Sequence, residues 1–253
     1  MRARLFLPML WAALWAGLAP FLFAVPAAAK PLVADLSSRQ IEITTGFTGT
    51  SLLLFGATDG PGDVVIVVRG PRREVVVRRK ERIGGIWVNG SEQRFESVPG
   101  YYFVASSRPL ADIAGEAILN RHQIGIRRLP LPAVGSVPAD RVKMFRTGLV
   151  EIKQTEGLFS VAPGRIARVE DRLFRADVTF PANVPTGAYT ADVYLFRGGV
   201  VVGSTRTTLA VRKAGLEAAV YDFAHRHSAI YGILAIVIAL FAGWLAGAIF
   251  RKV

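Results

Sequence analysis

An uncharged apolar segment near the C-terminus, residues 229–250, constrains the fold of this chain more than any other feature. Within it, residues 230–250 would form a helix of roughly 31 Å at about 1.5 Å per residue, close to the thickness of the hydrocarbon core of a bilayer. A helix of this length buried inside a soluble protein normally keeps a polar face. We therefore predict a transmembrane helix over residues 229–250, followed by a tail of residues 251–253.

Small residues recur at every fourth position of the predicted span and lie on one face of the helix. They are Ala235, Ala239, Gly243 and Gly247. Small side chains let two membrane helices approach closely, which favours their association. The alternative is that alanine and glycine are simply common in membrane helices. We predict that this face pairs with a multi-pass membrane protein or with a second copy of the chain.

The first 29 residues have the pattern of a secretory signal peptide. Arg2 and Arg4 precede an apolar stretch over residues 5–25, and three alanines at 27–29 form a small-residue cleavage site. An uncleaved anchor helix is the alternative. In both cases the chain after Ala29 leaves the cytoplasm.

The basic pair Arg251 and Lys252 follows the predicted span directly. An exported chain that reaches a stop-transfer helix leaves such a basic end in the cytoplasm. Ahead of the span, residues 214–228 are predicted to form a juxtamembrane amphipathic helix. Leu216, Val220 and Phe223 fall at positions i, i+4 and i+7 of one face of that helix.

The chain between residues 30 and 213 is predicted to be mainly β. Short β-branched runs, such as 64–68 and 75–79, alternate with turn sequences, a pattern typical of an antiparallel, immunoglobulin-like sandwich. We predict one β lobe over residues 30–107 and a second over residues 157–213. Two small sandwiches, or one sandwich with a helical insertion, both fit this pattern.

Residues 108–156 are predicted to be a helical insertion with a proline-rich connector. Ser107 is expected to cap a first helix that ends near Gly125, and a second helix begins at about Asp140. The buried side of the second helix is predicted to carry Val142, Phe145, Leu149 and Ile152.

Two glycine-containing sequences are predicted to form turns between strands. Asn89-Gly90 is expected to end a strand over residues 86–88, and Gly198-Gly199 is expected to form a hairpin turn before the last strand. Both sequences favour the left-handed backbone of a tight turn.

The composition excludes several kinds of active site. The chain has no cysteine, which excludes a thiol nucleophile and a cysteine-ligated metal site. The three histidines, His122, His225 and His227, lack the further ligands that a zinc or copper site needs in the local sequence. Nucleotide-binding and hydrolase motifs are absent from the sequence. We predict a non-enzymatic protein with no cofactor and no bound metal.

A basic run supplies much of the net charge of +12. Its seven cations, against Glu74 and Glu81, leave a charge of +5 on one predicted hairpin. The cations are Arg69, Arg72, Arg73, Arg78, Arg79, Lys80 and Arg82. Because export excludes nucleic acid as a partner, the predicted ligands are anionic lipid headgroups, acidic envelope polymers or a small oxyanion. A solvated strand face is the alternative.

Several short motifs are distributed over the whole mature chain. They are GFTGT at 46–50 with LLLFG at 52–56, YYF at 101–103, FPANVPTGAY at 180–189, and YG at 231–232 leading to GWLAG at 243–247 and FR at 250–251. These motifs resemble an alphaproteobacterial family of single-pass transmembrane proteins of unknown function. The resemblance implies no catalytic residues, and it implies an association with a multi-pass permease of the sulfite-exporter type.

These features together predict a location and a role. We expect the protein in the bacterial inner membrane, with the bulk of the chain in the periplasm and the C-terminus in the cytoplasm. The predicted role is that of a non-enzymatic accessory or interaction protein that partners a membrane transporter. The alternative is a periplasmic module that binds anionic lipid or a small oxyanion through its basic hairpin.

Overall fold

The computed structural model describes residues 31–214 and 216–250. The predicted signal peptide, residues 1–29, and the predicted tail, residues 251–253, lie outside the described residues. Strands hold 46% and helices 27% of the residues, so the predicted mainly β fold with a C-terminal apolar helix is confirmed.

The described strands form two sheets and a separate two-stranded ribbon. The four-stranded sheet consists of β1 (Leu32–Leu36), β3 (Gly49–Thr58), β10 (Leu173–Pro181) and β9 (Ala167–Val169), in that order. The six-stranded sheet consists of β2 (Gln40–Ile43), β12 (Val200–Lys213), β11 (Gly187–Arg197), β4 (Asp63–Arg69), β7 (Tyr102–Ser106) and β8 (Gly164–Arg165). The ribbon pairs β5 (Arg72–Ile83) with β6 (Ile86–Pro99). Pairing is antiparallel except for β2 with β12 and β7 with β8.

Both sheets contain strands from each of the two predicted β lobes. β3 pairs with β10, and β4 pairs with β11, so each sheet joins residues from 30–107 to residues from 157–213. The buried apolar residues of both segments belong to one hydrophobic core. Because neither segment completes a sheet alone, the arrangement is that of one sandwich with a helical insertion.

β4 and β11 are buried on both faces. Residues 64–68 of β4 are each exposed by 2% or less, as expected of an uninterrupted apolar strand covered on two sides. The four-stranded sheet covers one face, to which β10 contributes alternate buried side chains from Phe174 to Phe180. The helical insertion covers the other face, where the His122 ring lies 5.1 Å from the Tyr194 ring of β11.

Three aromatic rings join the two sheets. Tyr101 stacks on Phe180 with ring centroids 5.0 Å apart, and Tyr189 meets the edge of Phe180 at 5.8 Å. The Tyr101 hydroxyl donates to the Thr179 carbonyl at 2.7 Å. Burial raises the pKa of Tyr101 well above the ordinary tyrosine value, so the hydroxyl keeps its proton and remains a donor.

The first predicted helix of the insertion is wrong in length. The structure has α1 (Leu110–Ile113) and α2 (Glu116–Arg121) instead of one helix to Gly125. Ala114 separates them in an extended conformation, with φ −154° and ψ 153°. The break lets Ile113 and Leu119 both reach the core, where they are 3% and 1% exposed.

Ser107 holds the start of the insertion against β4 instead of capping a helix. Its hydroxyl donates to Asp63 Oδ1 at 3.0 Å and accepts from the Val64 backbone amide at 3.2 Å. Arg108 donates to the same Asp63 carboxylate at 2.8 Å, and this hydrogen bond holds the pKa of Asp63 below its ordinary value. The predicted cap is therefore wrong, because Pro109 occupies the N-cap position of α1.

The second predicted helix is α3 (Ala139–Thr155). Phe145 and Leu149 are buried as predicted, whereas Ile152 is 49% exposed and its predicted burial is wrong. The buried side instead passes through Val150, which packs against the core, and Lys153, whose side chain is only 18% exposed.

The ribbon is longer than the sequence pattern indicates. The predicted turn at Asn89-Gly90 is wrong, because both residues lie inside β6. The strands reverse at Gly84 and Gly85, whose φ angles of +59° and +89° suit a two-residue hairpin turn. The predicted turn at Gly198-Gly199 is confirmed between β11 and β12.

Two helices end the described chain. α4 (Leu216–Arg226) lies within the predicted juxtamembrane helix, and α5 (Ser228–Phe250) contains the predicted span. Val220 and Phe223 of α4 are 47% and 38% exposed, so the described residues do not cover their apolar face.

Replacing a side chain in the doubly covered strand should cost more than the same replacement on an exposed helix face. We expect Ile66→Ala in β4 to lower the free energy of unfolding by about 2–5 kcal/mol, because a cavity opens between two packed layers. Ile152→Ala is the matched control and should change it by less than about 1 kcal/mol. Urea titration of the detergent-solubilised chain, followed by far-UV circular dichroism, measures both; equal losses would contradict the packing of β4.

Candidate functional site

The apolar helix α5 has no covering layer in the described protein. Its segment Ser228–Gly247 has a mean hydropathy of 2.4, and none of it is buried against the described residues. The predicted small-residue face lies on this segment, and a side chain built on Gly243 or Gly247 would contact no described atom within 4 Å. The face is therefore open to a neighbouring helix or to lipid.

The predicted basic hairpin is divided by the fold. Arg69 lies on β4 inside the six-stranded sheet, and the other six cations lie on β5 of the ribbon. Arg78 pairs with Glu92 across the ribbon at 2.8 Å, and Arg73 donates to the Thr186 carbonyl at 3.1 Å. The seven cations consequently do not share one face.

Three of these cations are exposed and free. The side chains of Arg72, Arg79 and Lys80 make no hydrogen bond or ion pair with any residue that the structure describes. Arg72 lies at the base of the ribbon, whereas Arg79 and Lys80 lie near its tip. Free cations therefore occur at two separate places.

Arg69 is part of a buried ion cluster. Its NH1 lies 2.7 Å from Oδ2 of Asp192, and the side chains are 13% and 7% exposed. Arg206 Nε donates to the other carboxylate oxygen of Asp192 at 2.5 Å. Arg69 NH2 donates to the His122 carbonyl at 2.9 Å, which ties the helical insertion to β4.

Strand register brings the cluster together. Arg69 lies opposite Tyr102 on one side and Thr190 on the other, and Asp192 lies opposite Arg206. Alternation along each strand then places these side chains on the sheet face that meets the helical insertion. The cluster therefore crosses four neighbouring strands.

Tyr102 closes one side of the cluster. The Arg69 guanidinium carbon lies 6.0 Å from the centre of the Tyr102 ring. The Tyr102 hydroxyl donates to the Gln123 carbonyl at 2.9 Å and accepts from the Gly125 amide at 2.8 Å. Burial raises the pKa of Tyr102 to about 12, so the ring carries no negative charge at neutral pH.

A pocket of about 450 Å³ opens beside this cluster. Its charged lining residues are Arg69, Arg72, Arg121, Arg206 and Asp192. Four arginines against one carboxylate give the pocket a charge of +3 at neutral pH. Arg69 Nε is buried and has no hydrogen-bond partner among the described residues. The arrangement suits a small anion.

The sequence pattern points to only part of this pocket. Arg69 and Arg72 belong to the predicted basic run, whereas Arg121, Asp192 and Arg206 are not among the predicted site residues. The sequence does contain a signal that could have identified Asp192. It is the one acid in an otherwise apolar stretch of β11, residues 191–196. A carboxylate in a strand of that kind needs a buried partner.

An apolar cleft of about 410 Å³ lies on the outer face of the four-stranded sheet. Its walls include Val33, Phe55 and Leu173, which are 59%, 44% and 53% exposed. Gly56 also lines the cleft, and glycine is required there because a Cβ would lie 2.5 Å from the buried Phe174 ring. This cleft presents an apolar surface that nothing in the described chain covers.

The titratable side chains do not form a metal centre in the described part of the chain. No group of three His, Asp or Glu side chains there has a geometry that could hold a metal ion. His225 instead contacts the Tyr221 carbonyl through Nδ1 at 2.9 Å, one turn earlier in α4.

A family model described as "Putative transmembrane protein (Alph_Pro_TM)" matches residues 31–252. The match leaves out the predicted signal peptide and includes α5. It confirms the resemblance to an alphaproteobacterial transmembrane family, and it indicates no enzymatic family. No curated protein matches the chain. The association with a sulfite-exporter-type permease stays a prediction.

Removing one member of the buried ion pair should destabilise the fold. We expect Asp192→Asn to lower the free energy of unfolding by about 3–5 kcal/mol, because the Arg69 charge is left buried without its counter-ion. Asp177→Asn, on the exposed face of β10, is the matched control and should be nearly neutral. Urea titration measures both values.

The double variant Arg69→Met/Asp192→Leu should recover most of that loss, because two apolar side chains leave no buried charge behind. If Asp192→Asn were as stable as Asp177→Asn, the pair would have no structural role.

Proposed function

The chain belongs to the Alph_Pro_TM family of transmembrane proteins, and we propose that it is a non-enzymatic accessory protein of the bacterial inner membrane. The observation that carries the proposal is α5, an apolar helix long enough to span a bilayer and uncovered by the described protein. A helix of this hydropathy is stable when lipid or another membrane helix surrounds it.

The proposed orientation rests on two sequence patterns, one before the β-sandwich and one directly after the span. The signal-peptide pattern over residues 1–29 exports the chain, and the basic pair Arg251 and Lys252 holds the end of the span in the cytoplasm. In this orientation the β-sandwich is in the periplasm.

Two uncovered apolar surfaces support a partner protein. One is the small-residue face of α5, which allows close helix packing. The other is the cleft beside Phe55 and Leu173, which is larger than a scattered exposed side chain. A multi-pass transporter would contact the first surface in the membrane and the second outside it. Pairing with a second copy is the alternative use of the helix face.

Filling the small-residue face should abolish helix pairing. We expect Gly243→Ile/Gly247→Ile to lose association in a membrane two-hybrid assay, because branched side chains hold the helix backbones apart. Val237→Phe/Leu245→Phe adds bulk to the opposite face and should retain it. A polyleucine helix of equal length should anchor the chain but not restore pairing.

Association that survives both the glycine substitutions and the polyleucine exchange would contradict helix pairing. The helix would then act only as an anchor.

A second function is favoured by the charged pocket. We propose that the pocket beside Arg69 binds a small oxyanion or carboxylate. Arg72 and Arg121 form no ion pair with a described residue and leave their charge at the pocket wall, while Asp192 neutralises only part of the arginine charge. Charge-assisted hydrogen bonds of this kind select planar or tetrahedral oxyanions.

Neutralising the free pocket cations should remove anion binding without unfolding the protein. We expect sulfate, phosphate or succinate to raise the unfolding temperature of the native chain, since a ligand that binds only the folded state stabilises it. Arg72→Gln/Arg121→Gln should lose that increase, while Arg79→Gln/Lys80→Gln should keep it. An increase that persists in the pocket variant would place the anion elsewhere.

A further inference from the structure

The outer part of the β5–β6 ribbon projects from the core. Residues 78–92, all of which the structure describes, include no buried residue. From the Arg78–Glu92 pair to the turn, the projection measures about 20 Å at about 3.4 Å per residue. A bare two-stranded hairpin is marginally stable in water, so a projection of this length is suited to contact with something outside the chain.

The tip of the ribbon is apolar. Ile83, Ile86 and Trp87 are 62%, 68% and 67% exposed. The tight turn at Gly84-Gly85 sets Ile83 directly opposite Ile86, so the two apolar side chains stand together at the end of the projection. These residues contribute nothing to the core, and exposing them to water is unfavourable.

The base of the ribbon is fixed, which keeps the tip in place. Phe95 and Val98 are fully buried, and Gln93 donates to the Val134 carbonyl at 3.0 Å. The Glu96 amide donates to the Pro132 carbonyl of the connector at 3.0 Å, and the Val134 amide of the connector donates to the Arg94 carbonyl at 2.9 Å. The base of the ribbon is therefore packed against the rest of the protein, whereas its apolar tip is exposed.

Cations surround the apolar tip. Arg79, Lys80 and Arg82 lie within the last five residues of β5, and Arg82 lies opposite Trp87. The nearby acid, Glu81, turns back to accept a hydrogen bond from the Ser91 hydroxyl at 3.3 Å. None of the three cations forms an ion pair with a carboxylate among the described residues.

We propose that the ribbon tip inserts into the headgroup region of an anionic bilayer. Tryptophan with aliphatic neighbours suits the boundary between headgroups and acyl chains, and the cations match anionic phosphates there. A tip of three apolar side chains is much smaller than a stable protein interface of about 800 Å² per partner. The proposal does not depend on helix pairing or on the charged pocket.

The lack of cysteine in the sequence makes this contact directly measurable. Ile83→Cys or Ile86→Cys provides a single site for an environment-sensitive fluorophore on the full chain in nanodiscs. Val200→Cys, at a residue 53% exposed on another strand, is the matched control. Nanodiscs and added vesicles contain equal parts of phosphatidylglycerol and phosphatidylcholine. Doxyl-labelled lipid is placed either in the nanodisc or in the added vesicles.

We expect blue-shifted emission and doxyl quenching at the two tip sites and neither at Val200. Quenching from the nanodisc means insertion into the chain's own bilayer, and quenching from added vesicles means insertion into a facing bilayer. Arg79→Gln, Lys80→Gln and Arg82→Gln should each weaken vesicle binding about fivefold. With a label at Ile86, Ile83→Ser/Trp87→Ser should reduce the quenching.

The absence of quenching in both arms would overturn the proposal. A blue shift without lipid quenching would also overturn it, because the tip would then contact protein. Equal binding to vesicles of pure phosphatidylcholine would exclude the role of the cations. The urea midpoint of the serine variant should equal that of the parent chain, since the replaced side chains are exposed, and a lower midpoint would contradict that premise.

Discussion

Burial of β4 and β11 on both faces is the constraint on which the rest of the structure depends. A strand without a solvent face needs two covering layers, and the chain supplies them from different segments: the four-stranded sheet on one side and the helical insertion on the other. The insertion is therefore part of the core. The Arg69–Asp192 pair lies on this second face, where it links the sheet to the insertion through the His122 carbonyl.

Local features of the fold could be predicted from the sequence, whereas the partners of each element could not. The apolar run of β4, the Gly198-Gly199 turn and α5 follow from periodicity, turn chemistry and length. The helix break at Ala114 has only one local signal, the glycine that follows it at Gly115, because the apolar spacing continues through the break and tertiary packing decides it. Likewise, Asn89-Gly90 favours a turn locally, but pairing along β6 keeps both residues in the strand.

The candidate site shows the same division. Charge counting identifies a basic run but treats it as one surface, while the strand boundary at Gly70-Pro71 assigns Arg69 to the sheet and the remaining cations to the ribbon. Arg121 and Arg206 come to the pocket from a helix and a strand distant in sequence, so no linear pattern contains them. Only Asp192 carries a signal of its own, as an acid in an apolar strand.

The groups that hold the fold differ from those left for contact with other molecules. Arg69 is fixed by Asp192 and by carbonyls of the insertion, so its charge is already used in folding. Arg72 at the pocket, and Arg79 and Lys80 near the ribbon tip, have no such partner among the described residues, and Ile86, Trp87 and the face of α5 lie outside the core. Because these groups make no contact that stabilises the fold, substitutions there change binding without changing stability. Substitutions at Arg69 or Asp192 change both at once.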